Sequence, residues 1–488
     1  MQKLRKILFY LFAAAYLFLC PFLIMYAMGY IMKPGEETQI VRTGALYVAT
    51  APSGGEINIS GEFSGKKTPN FIQGIEPGEK EVLITLEGYL DWKAVLSFEK
   101  GKTTVVDTIL FVPVKRIIDR ASKLEYKAMR GIRGADKALL ETGKKISGIF
   151  VYDFAGQEEA KPVFAQGLEE DYVTGRIFTI EESPYALIIA LNKDGEKYFW
   201  VELDQDEPQV TDVTYLFERE PAQVKWENGN EDEIFVLEKG KVSKIDIKNG
   251  AVYPAIAEGV RGYGLYSGKI YFLGQDNELF ATDHSGKNRR DIMNDLQVAQ
   301  EAFPKDGLVD IEIMDRDLFI FKGEKGELSA NKLPYKFVDS GVLGMEFDSA
   351  SSRLLVWEKE NIGVIDFGAE ETGQTEFEKA PSVKWLYKGR DINGAFWVYQ
   401  ASHVLFLDGG SLMLMSVLDQ GNIMVSGVAG GNIDDFIYSE NDGTVYFLDS
   451  EDGGVYSTVI VPSKSFIPNP LDIPAIKKTS KITEENGF

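Results

Sequence analysis

The chain of 488 residues contains a single cysteine, Cys20, and only two histidines, His284 and His403. One cysteine cannot form an intramolecular disulfide, so the folded part must be held together by core packing. The same scarcity excludes a zinc site built only from cysteine and histidine. Cysteine nucleophiles are excluded after residue 32, because Cys20 lies within the first apolar run.

Positive charge is also scarce, since 52 lysines and arginines face 75 acidic residues. The net charge is −23, and it becomes −26 without Lys3, Arg5 and Lys6. A surface of this sign argues against nucleic acid as a partner and against flat binding to anionic lipid. It favours a solvated, self-repelling surface, with cationic partners or divalent ions as a second implication.

Catalytic and cofactor motifs are missing as well. Each histidine ends or begins a predicted strand with no marked nucleophile beside it, so we expect both at the surface or at a strand edge. The glycine-rich pieces Gly427–Gly431 and Gly409-Gly410 lack a P-loop lysine and a dinucleotide-binding pattern, and they are interpreted as turns. We therefore assign no catalytic residue, no metal ligand and no cofactor from the sequence.

Carboxylates are abundant, and their clusters predict solvated acidic turns rather than calcium loops, since the spacing of a calcium loop is missing. A glycan hydrolase or lyase would need two carboxylates on one face or in one channel, and the sequence does not say which of the 75 acids these would be. The clusters are Asp434-Asp435, then Asp204, Asp206 and Glu207, and Glu169-Glu170-Asp171.

One long apolar run is present, Ile7 to Met32, and it carries no charge over 26 residues. This length exceeds what a helix needs to cross a hydrocarbon core of about 30 Å. The run predicts a transmembrane helix over 7–32, followed by a stalk over 33–44. The three basic residues before it place residues 1–6 in the cytoplasm and the rest outside, in a single-pass cell-membrane protein.

Two alternatives for this run stay open. A signal peptide cleaved after Gly29 is one, although its apolar region is usually about 7–15 residues. A lipid-modified Cys20 is the other, although Leu19 stands where a small residue is wanted. Because an envelope protein without disulfides is more typical of bacteria than of a eukaryotic secretory route, we expect a bacterial envelope protein.

Residues 45–112 show a compact all-β pattern of short apolar runs separated by turn residues. Ile57 and Ile59 lie on one face of a strand, and Glu76-Pro77-Gly78-Glu79 has the composition of a turn. Tyr89 and Trp92 supply apolar bulk, and we expect Trp92 in the core rather than exposed to a ligand.

This segment resembles the PEGA domain, a small β-sandwich found on bacterial and archaeal envelope proteins. The order and spacing of its markers fit over about 65 residues, although Ser53 and Gly55 stand where the name motif has Glu and Ala. The resemblance implies structural or surface interactions and brings no catalytic residues. The markers are Pro52-Ser53-Gly54-Gly55, Gly65-Lys66-Lys67-Thr68-Pro69, Pro77-Gly78, Gly88-Tyr89 and Gly101-Lys102-Thr103-Thr104.

Residues 113–462 repeat one unit, an apolar strand, a polar turn and a second strand, about every 35 to 50 residues. The first strands are Ala186–Leu191, Glu233–Glu238, Ile270–Gly274, Leu318–Lys322, Arg353–Glu358, His403–Asp408 and Val445–Asp449. The second strands are Tyr198–Leu203, Val242–Ile247, Leu279–His284, Leu328–Leu333, Ile362–Phe367, Leu412–Val417 and Gly454–Val459. A weaker eighth copy is Ala138–Glu141 followed by Ile149–Phe154.

This period is typical of a β-propeller, with four strands in each blade. Seven blades fit if residues 114–185 connect and close the ring, and eight fit if they form a degenerate first blade. The array resembles WD40-like and quinoprotein-type propellers without their sharp motifs, and two packed β-sandwiches are the rival fold. Most tryptophans of this region should pack between blades, while one or two at a rim could stack sugars. Residues 463–488 are expected to form a strap and a disordered tail.

The expected molecule is thus all-β after its helix, with a PEGA-like sandwich near the membrane and a propeller beyond it. The function predicted from this architecture is binding or scaffolding of an envelope protein or polysaccharide through a propeller face, without catalysis. Two alternatives remain, an envelope glycan hydrolase or lyase with carboxylates in the propeller, and an envelope assembly factor that receives a client strand at a propeller edge.

Overall fold

The computed structural model describes residues 2–27, 29–33, 39–154, 156, 159–164, 171–205, 207–227, 229–293, 303–304, 306–368, 380–417 and 423–462. The predicted strap and tail over 463–488 lie outside the described residues. So do three members of the acidic clusters, Glu169, Glu170 and Asp206. Within these ranges the structure contains helix α1, 41 strands and two short 3-10 helices.

Helix α1 runs from Gln2 to Ala27, and its stretch Leu8–Met25 is apolar enough to cross a membrane. The helix thus begins five residues before the predicted span 7–32 and ends five residues before its C-terminal bound. Gly29 adopts a φ of 79°, which only glycine takes easily and which commonly follows a helix end. Strand β1 (Tyr30–Lys33) then pairs with β2 (Gln39–Arg42), so part of the predicted stalk is a hairpin.

The next seven strands form a small β-sandwich of two sheets. One sheet has the order β6-β3-β9 and the other β5-β4-β7-β8. The strands are β3 (Gly44–Ala51), β4 (Glu56–Ile59), β5 (Glu62–Lys67), β6 (Asn70–Ile75), β7 (Gly78–Thr85), β8 (Trp92–Phe98) and β9 (Thr103–Leu110).

The strands of this sandwich place their alternating apolar residues in one core, as the all-β pattern predicted. Ile57 is fully buried, and Ile59 packs against the same core. Trp92 is buried in that core, which confirms its predicted packing role. Leu110, at the end of the sandwich, joins a different hydrophobic cluster that contains Leu405 and Phe447 of the following region. The sandwich is thereby packed onto the rest of the chain.

The remaining strands form eight four-stranded antiparallel sheets, numbered here sheet 1 to sheet 8 in chain order. Sheets 1 to 4 follow one another without crossovers. Sheet 1 holds β11 (Ala128–Ile132), β12 (Lys137–Glu141), β13 (Ile149–Asp153) and β14 (Lys161–Pro162); sheet 2 holds β15 (Val173–Thr179), β16 (Tyr185–Asn192), β17 (Gly195–Glu202) and β18 (Gln209–Asp212); sheet 3 holds β19 (Gln223–Lys225), β20 (Glu233–Glu238), β21 (Lys241–Asp246) and β22 (Ala251–Glu258); sheet 4 holds β23 (Val260–Tyr266), β24 (Lys269–Gly274), β25 (Leu279–Asp283) and β26 (Arg290–Asp291).

Sheets 5 to 8 continue the same order. Sheet 5 holds β27 (Val309–Asp315), β28 (Leu318–Gly323), β29 (Leu328–Ala330) and β30 (Lys336–Val338); sheet 6 holds β31 (Val342–Asp348), β32 (Arg353–Glu358), β33 (Asn361–Asp366) and β34 (Val383–Lys388); sheet 7 holds β35 (Ile392–Val398), β36 (His403–Asp408), β37 (Ser411–Ser416) and β38 (Val425–Ala429); sheet 8 holds β39 (Ile433–Ser439), β40 (Thr444–Asp449), β41 (Val455–Val459) and β10 (Asp119–Arg120). This succession is a β-propeller, as the repeats predicted.

Each predicted strand pair corresponds to the second and third strands of one sheet, including the weak copy, which is β12 and β13. Their connecting turns are also confirmed. Lys239 and Gly240 have φ values of 44° and 74° in the hairpin between β20 and β21, and a type I′ hairpin turn needs positive φ at both positions.

The ring is closed by a strand from before sheet 1. Arg120 of β10 pairs with Tyr456 of β41, and the Thr458 hydroxyl donates to the Ile117 carbonyl oxygen at 2.8 Å. Residues 114–185 therefore hold both features that the sequence offered as alternatives, a closing strand and a complete first sheet.

The first strand of sheet 4, β23, has glycines at the two positions where the backbone of β27 in sheet 5 comes close. A Cβ on Gly262 would lie 1.8 Å from the Val309 carbonyl oxygen of β27, and one on Gly264 would lie 2.6 Å from that of Ile311. Lys225 of sheet 3 also reaches β27, since its Nζ donates to the Ile311 carbonyl oxygen at 3.0 Å. The first strands of sheets 3, 4 and 5 are thus in close contact.

Lys225 also forms two ion pairs there. Its Nζ lies 2.7 Å from Asp310 Oδ1 and 3.0 Å from Glu312 Oε1, both on β27. Although burial opposes the charge, these two carboxylates raise the pKa of Lys225 above its ordinary value. These ion pairs therefore connect the first strand of sheet 3 to the first strand of sheet 5.

Candidate functional site: a cavity among the first strands of four sheets

A cavity of about 370 Å³ lies where sheets 1, 2, 7 and 8 bring their first strands together. Its wall combines two arginines, two carboxylates, two aromatic rings of sheet 8, one of sheet 7 and several isoleucines. The lining residues are Arg130, Gly131, Ile132, Arg133, Ile177, Thr179, Ile180, Glu181, Phe396, Asp435, Phe436, Ile437 and Tyr438. The cavity therefore belongs to the central channel of the propeller.

Arg133 spans the distance from sheet 1 to sheets 6 and 7. Its guanidinium forms an ion pair with Glu346 of β31, and Nη2 donates to the Trp397 carbonyl oxygen at 3.0 Å. Glu346 is held from the other side, because the Trp397 backbone N–H donates to its Oε2 at 2.8 Å. Side-chain exposure is only 18% for Arg133 and 12% for Glu346, so water screens this pair poorly.

Arg130 lines the cavity and is half exposed. Its Nε lies 3.4 Å from Glu141 Oε1 on the neighbouring strand β12. Both arginines that line the cavity are thus paired with carboxylates, Glu141 and Glu346, that do not line it.

Asp435 presents a partly buried carboxyl group to the cavity. The backbone N–H of Phe436 donates to its Oδ1 at 2.8 Å. Burial raises the pKa of Asp435 to about 6, with Asp434 acting in the same direction, while that hydrogen bond and the Arg130 charge oppose the rise. Within the described part of the chain, no cationic nitrogen lies within 4.0 Å of this carboxyl group.

Glu181 faces the same cavity from the end of β15. Its side chain stays accessible to water within the channel, yet the surrounding protein removes enough solvent to raise its pKa. Arg133 opposes this rise, while Glu312 and Glu182 add to it. Glu181, like Asp435, has no ion pair among the residues described here.

The apolar wall is built from aromatic and β-branched residues. The Phe396 and Phe436 rings meet edge to face with centroids 5.0 Å apart. The Arg133 guanidinium lies 5.2 Å from the Phe396 centroid, in cation–π geometry. Tyr438 is buried beside them, and burial raises its pKa. The wall can therefore hold an alkyl chain and stack on a planar or charged group.

Of these residues the sequence pattern singled out only Asp435, and the prediction for Asp435 was wrong. Asp434-Asp435 was predicted to be a solvated acidic turn, but both residues lie in strand β39. Asp434 is exposed and lies at a register shift of the strand between Ile433 and Asp435, whereas Asp435 lines the cavity. Arg130, Arg133 and Glu181 carry no motif, and only the position of first strands around a channel could have marked them.

The other acidic clusters lie elsewhere. Asp204 is exposed and lies 3.3 Å from Lys137 Nζ, and Glu207 and Asp171 fall in exposed or irregular segments. Over the described ranges, no group of three or more histidine, cysteine, aspartate or glutamate side chains is arranged to hold a metal ion.

The two histidines are held by the protein instead of standing free at its surface. His284 Nδ1 lies 3.5 Å from Glu233 Oε2, and its ring packs on Phe235. His403 is 4% exposed, with Nδ1 2.9 Å from the Ser402 hydroxyl. The prediction of a surface or edge position is wrong for His403, because β36 is a central strand whose two faces are both covered.

Burial lowers the pKa of His403 to about 4, whereas an unfolded histidine titrates near 6.5. Between these values the unfolded chain binds more protons, so stability is lost as the pH falls from about 6.5 towards 4. We expect this group alone to remove about 2 kcal/mol of unfolding free energy at pH 5 relative to pH 8. Urea unfolding at both pH values, on the wild type and on His403→Gln, measures the difference in pH dependence. Equal pH dependence in the two proteins would contradict it.

Four of the five tryptophans that the sequence placed in or near propeller strands are buried, as expected for packing between sheets. They are Trp200, Trp226, Trp357 and Trp397. Trp385, on the outer strand β34, is 43% exposed, and a Cβ on Gly363 would lie 2.8 Å from its ring. Trp385 is thus the exposed one of these five tryptophans.

Comparison with known proteins agrees with the two β regions. Residues 43–110 match the PEGA domain. The resemblance drawn from the turn glycines and prolines is confirmed, and the matched segment is the β-sandwich of β3 to β9. A comparison with curated proteins found no match.

Solved structures similar to this chain include several propellers. The beta-propeller domain of Myceliophteria thermophila Cps50 (Swd1) is 10% identical, with 71% of this chain and 98% of that chain covered and a TM-score of 0.38. Kluyveromyces lactis Hsv2 with complete loop 6CD is 12% identical, with 62% and 98% covered and a TM-score of 0.42. YCF48 bound to D1 peptide is 10% identical, with 70% and 94% covered and a TM-score of 0.35. The propeller assignment rests on the eight sheets of this chain.

Proposed function

We propose that this chain is a membrane-anchored protein of a bacterial envelope that binds a partner protein through the central cavity of its propeller. The observation that carries this proposal is the cavity itself, which is walled by apolar, aromatic and charged groups and has the half-exposed Arg130 in its lining. A volume near the lower end of ligand sites, about 300 to 1,000 Å³, suits the insertion of one side chain from a partner. The buried pairing of Arg133 with Glu346 holds the wall in place before binding.

The orientation of the molecule is part of the proposal. Helix α1 supplies a candidate anchor, and Lys3, Arg5 and Lys6 in its first residues favour a cytoplasmic N-terminus. The PEGA domain then lies near the membrane and the propeller beyond it, on the outer side. This arrangement supports a role in which the propeller meets envelope components.

Site-specific photo-cross-linking in the native cell tests the proposal. We expect a photoreactive p-benzoylphenylalanine at Arg130 to capture a discrete, protease-sensitive product. The control carries the same group at Tyr215, which is 72% exposed and does not line the cavity, and it should not give that product. Capture at both sites alike, or at neither, would contradict binding at the cavity. A cross-linked product that resists protease but is degraded by glycan-degrading enzymes would show that the partner is a polysaccharide and not a protein.

A glycan hydrolase remains a second candidate because of one observation. Asp435 and Glu181 both line the cavity, and both have a raised pKa, which is a property of a general acid. Envelope glycans incubated with the full chain discriminate the two functions. Hydrolysis by the wild type that disappears in Glu181→Gln would favour the enzyme, and intact glycans would favour binding alone.

A further inference from the structure

We propose that the cavity accepts one lysine or arginine side chain of the partner protein, with Asp435 and Glu181 binding its charge and the apolar wall enclosing its stem. This inference rests on the proposed function and names the chemistry that the partner must present.

The charge balance of the cavity supports a cationic ligand. Of the four charged residues that line it, the two arginines already form ion pairs with Glu346 and Glu141, which lie outside the lining. The two carboxylates, Asp435 and Glu181, have no cation within 4.0 Å in the described part of the chain. The cavity thus contains two carboxylates whose negative charge has no paired cation, and a cationic group of a ligand would supply one.

The shape and lining of the cavity favour a long aliphatic side chain as the carrier of that charge. Lysine and arginine bury their methylene stems against apolar surface while the charged end reaches a polar partner. Here Ile132, Ile177 and Ile180 line the same space as the two carboxylates. At about 30 Å³ per water molecule the cavity holds about twelve waters, so one such side chain enters with room for bridging water.

The aromatic wall adds a second source of affinity for a cation. The Phe396 ring already interacts with the Arg133 guanidinium at 5.2 Å from its centroid. The Phe436 and Tyr438 rings also line the cavity. A guanidinium or ammonium group in the cavity would therefore interact with both the rings and the carboxylates. The overall charge of −23 would attract a basic partner from a distance.

The proposal has a definite pH dependence. The charged and titratable groups around Asp435 are Arg130 and Asp434, with Glu181, Arg133 and Tyr438 also lining the cavity. Because the pKa of Asp435 is raised to about 6, the free cavity loses one of its two negative charges as the pH falls through that value. Affinity for a cation is therefore greatest above pH 6 and decreases below it.

Short peptides with the detergent-solubilised full chain test the chemistry directly. Acetyl-Gly-Lys-Gly-amide and its arginine analogue should bind by isothermal titration calorimetry at pH 7.5. The matched peptide with norleucine, which has the stem without the charge, should bind at least tenfold more weakly. Asp435→Asn and Glu181→Gln should each weaken the lysine and arginine peptides about tenfold. Asp194→Asn removes the same charge from an exposed turn and should leave binding unchanged.

Three outcomes would overturn the proposal: norleucine binding as tightly as lysine, equal affinity of Asp435→Asn and the wild type, or no binding of either cationic peptide. The photo-cross-link at position 130 separates this failure from that of the proposed function. If Asp435→Asn keeps the cross-linked protein product, the cavity still binds a partner and only its cationic chemistry is wrong. If the wild-type chain gives no product at position 130, the proposed function itself fails.

Discussion

Gly262→Ala should lower the unfolding free energy of the propeller by about 3 kcal/mol. The new Cβ would lie 1.8 Å from the Val309 carbonyl oxygen and 2.7 Å from its carbonyl carbon. Both are backbone atoms of β27, so no side-chain rotation relieves the clash, and the first strands of sheets 4 and 5 must separate. Urea unfolding and thermal melting of the full chain in detergent measure the loss, which we expect to lower the melting temperature by roughly 5 °C or more.

Gly427→Ala provides the matched control. Gly427 lies in strand β38 with an ordinary negative φ, and a Cβ there would meet nothing within 4 Å. The same chemical change at this exposed position should alter stability by about 0.5 kcal/mol or less. If the two variants melted alike, the close contact between β23 and β27 would not contribute to stability.

The second large effect is expected at Arg133. Arg133→Met should destabilise the chain by about 3 to 5 kcal/mol, because Glu346 would be left charged and unpaired at 12% exposure. The variant also loses the hydrogen bond from Nη2 to the Trp397 carbonyl oxygen, which connects sheet 1 to sheet 7. Adding Glu346→Gln to Arg133→Met should recover part of the loss, since the buried charge is then removed.

Arg130→Met is the control for this prediction, three residues earlier along the chain. Its ion pair with Glu141 is longer, at 3.4 Å, and Arg130 is 51% exposed, so water screens the interaction. We expect a loss below about 1 kcal/mol. Equal melting of the two methionine variants would show that burial does not distinguish these two ion pairs.

The sequence predicted the central strands of the propeller well and the first and last strands poorly, for one physical reason. Strands such as β16 and β36 are covered on both faces by neighbouring sheets, so they are continuous apolar runs that stand out in the sequence. The first strand β23 instead carries Arg261 and the glycines Gly262 and Gly264 among its apolar residues. A strand with that composition does not stand out as an apolar run.

The candidate site was hidden by the same cause. Its residues come from four sheets, between positions 130 and 438, and only the closed ring brings them together. The sequence could show that Asp435 was one of many acids, but not that it was a cavity residue with a raised pKa. The PEGA domain was the easier case, because its turns fix prolines and glycines at local spacings.

Closure of the ring has a consequence for how the chain acquires its structure. Ile117 and Thr458, which meet at the closure, are separated by 341 residues. At a synthesis rate of about 5 to 20 residues per second, the closing strand waits roughly 20 to 70 s for its partner. During that interval β10 and the side of sheet 1 that will face sheet 8 have no neighbour, and the cavity has only half of its wall. Synthesis must therefore reach sheet 8 before the complete cavity exists in the nascent chain. Binding of a partner in the cavity would then indicate that the ring has closed.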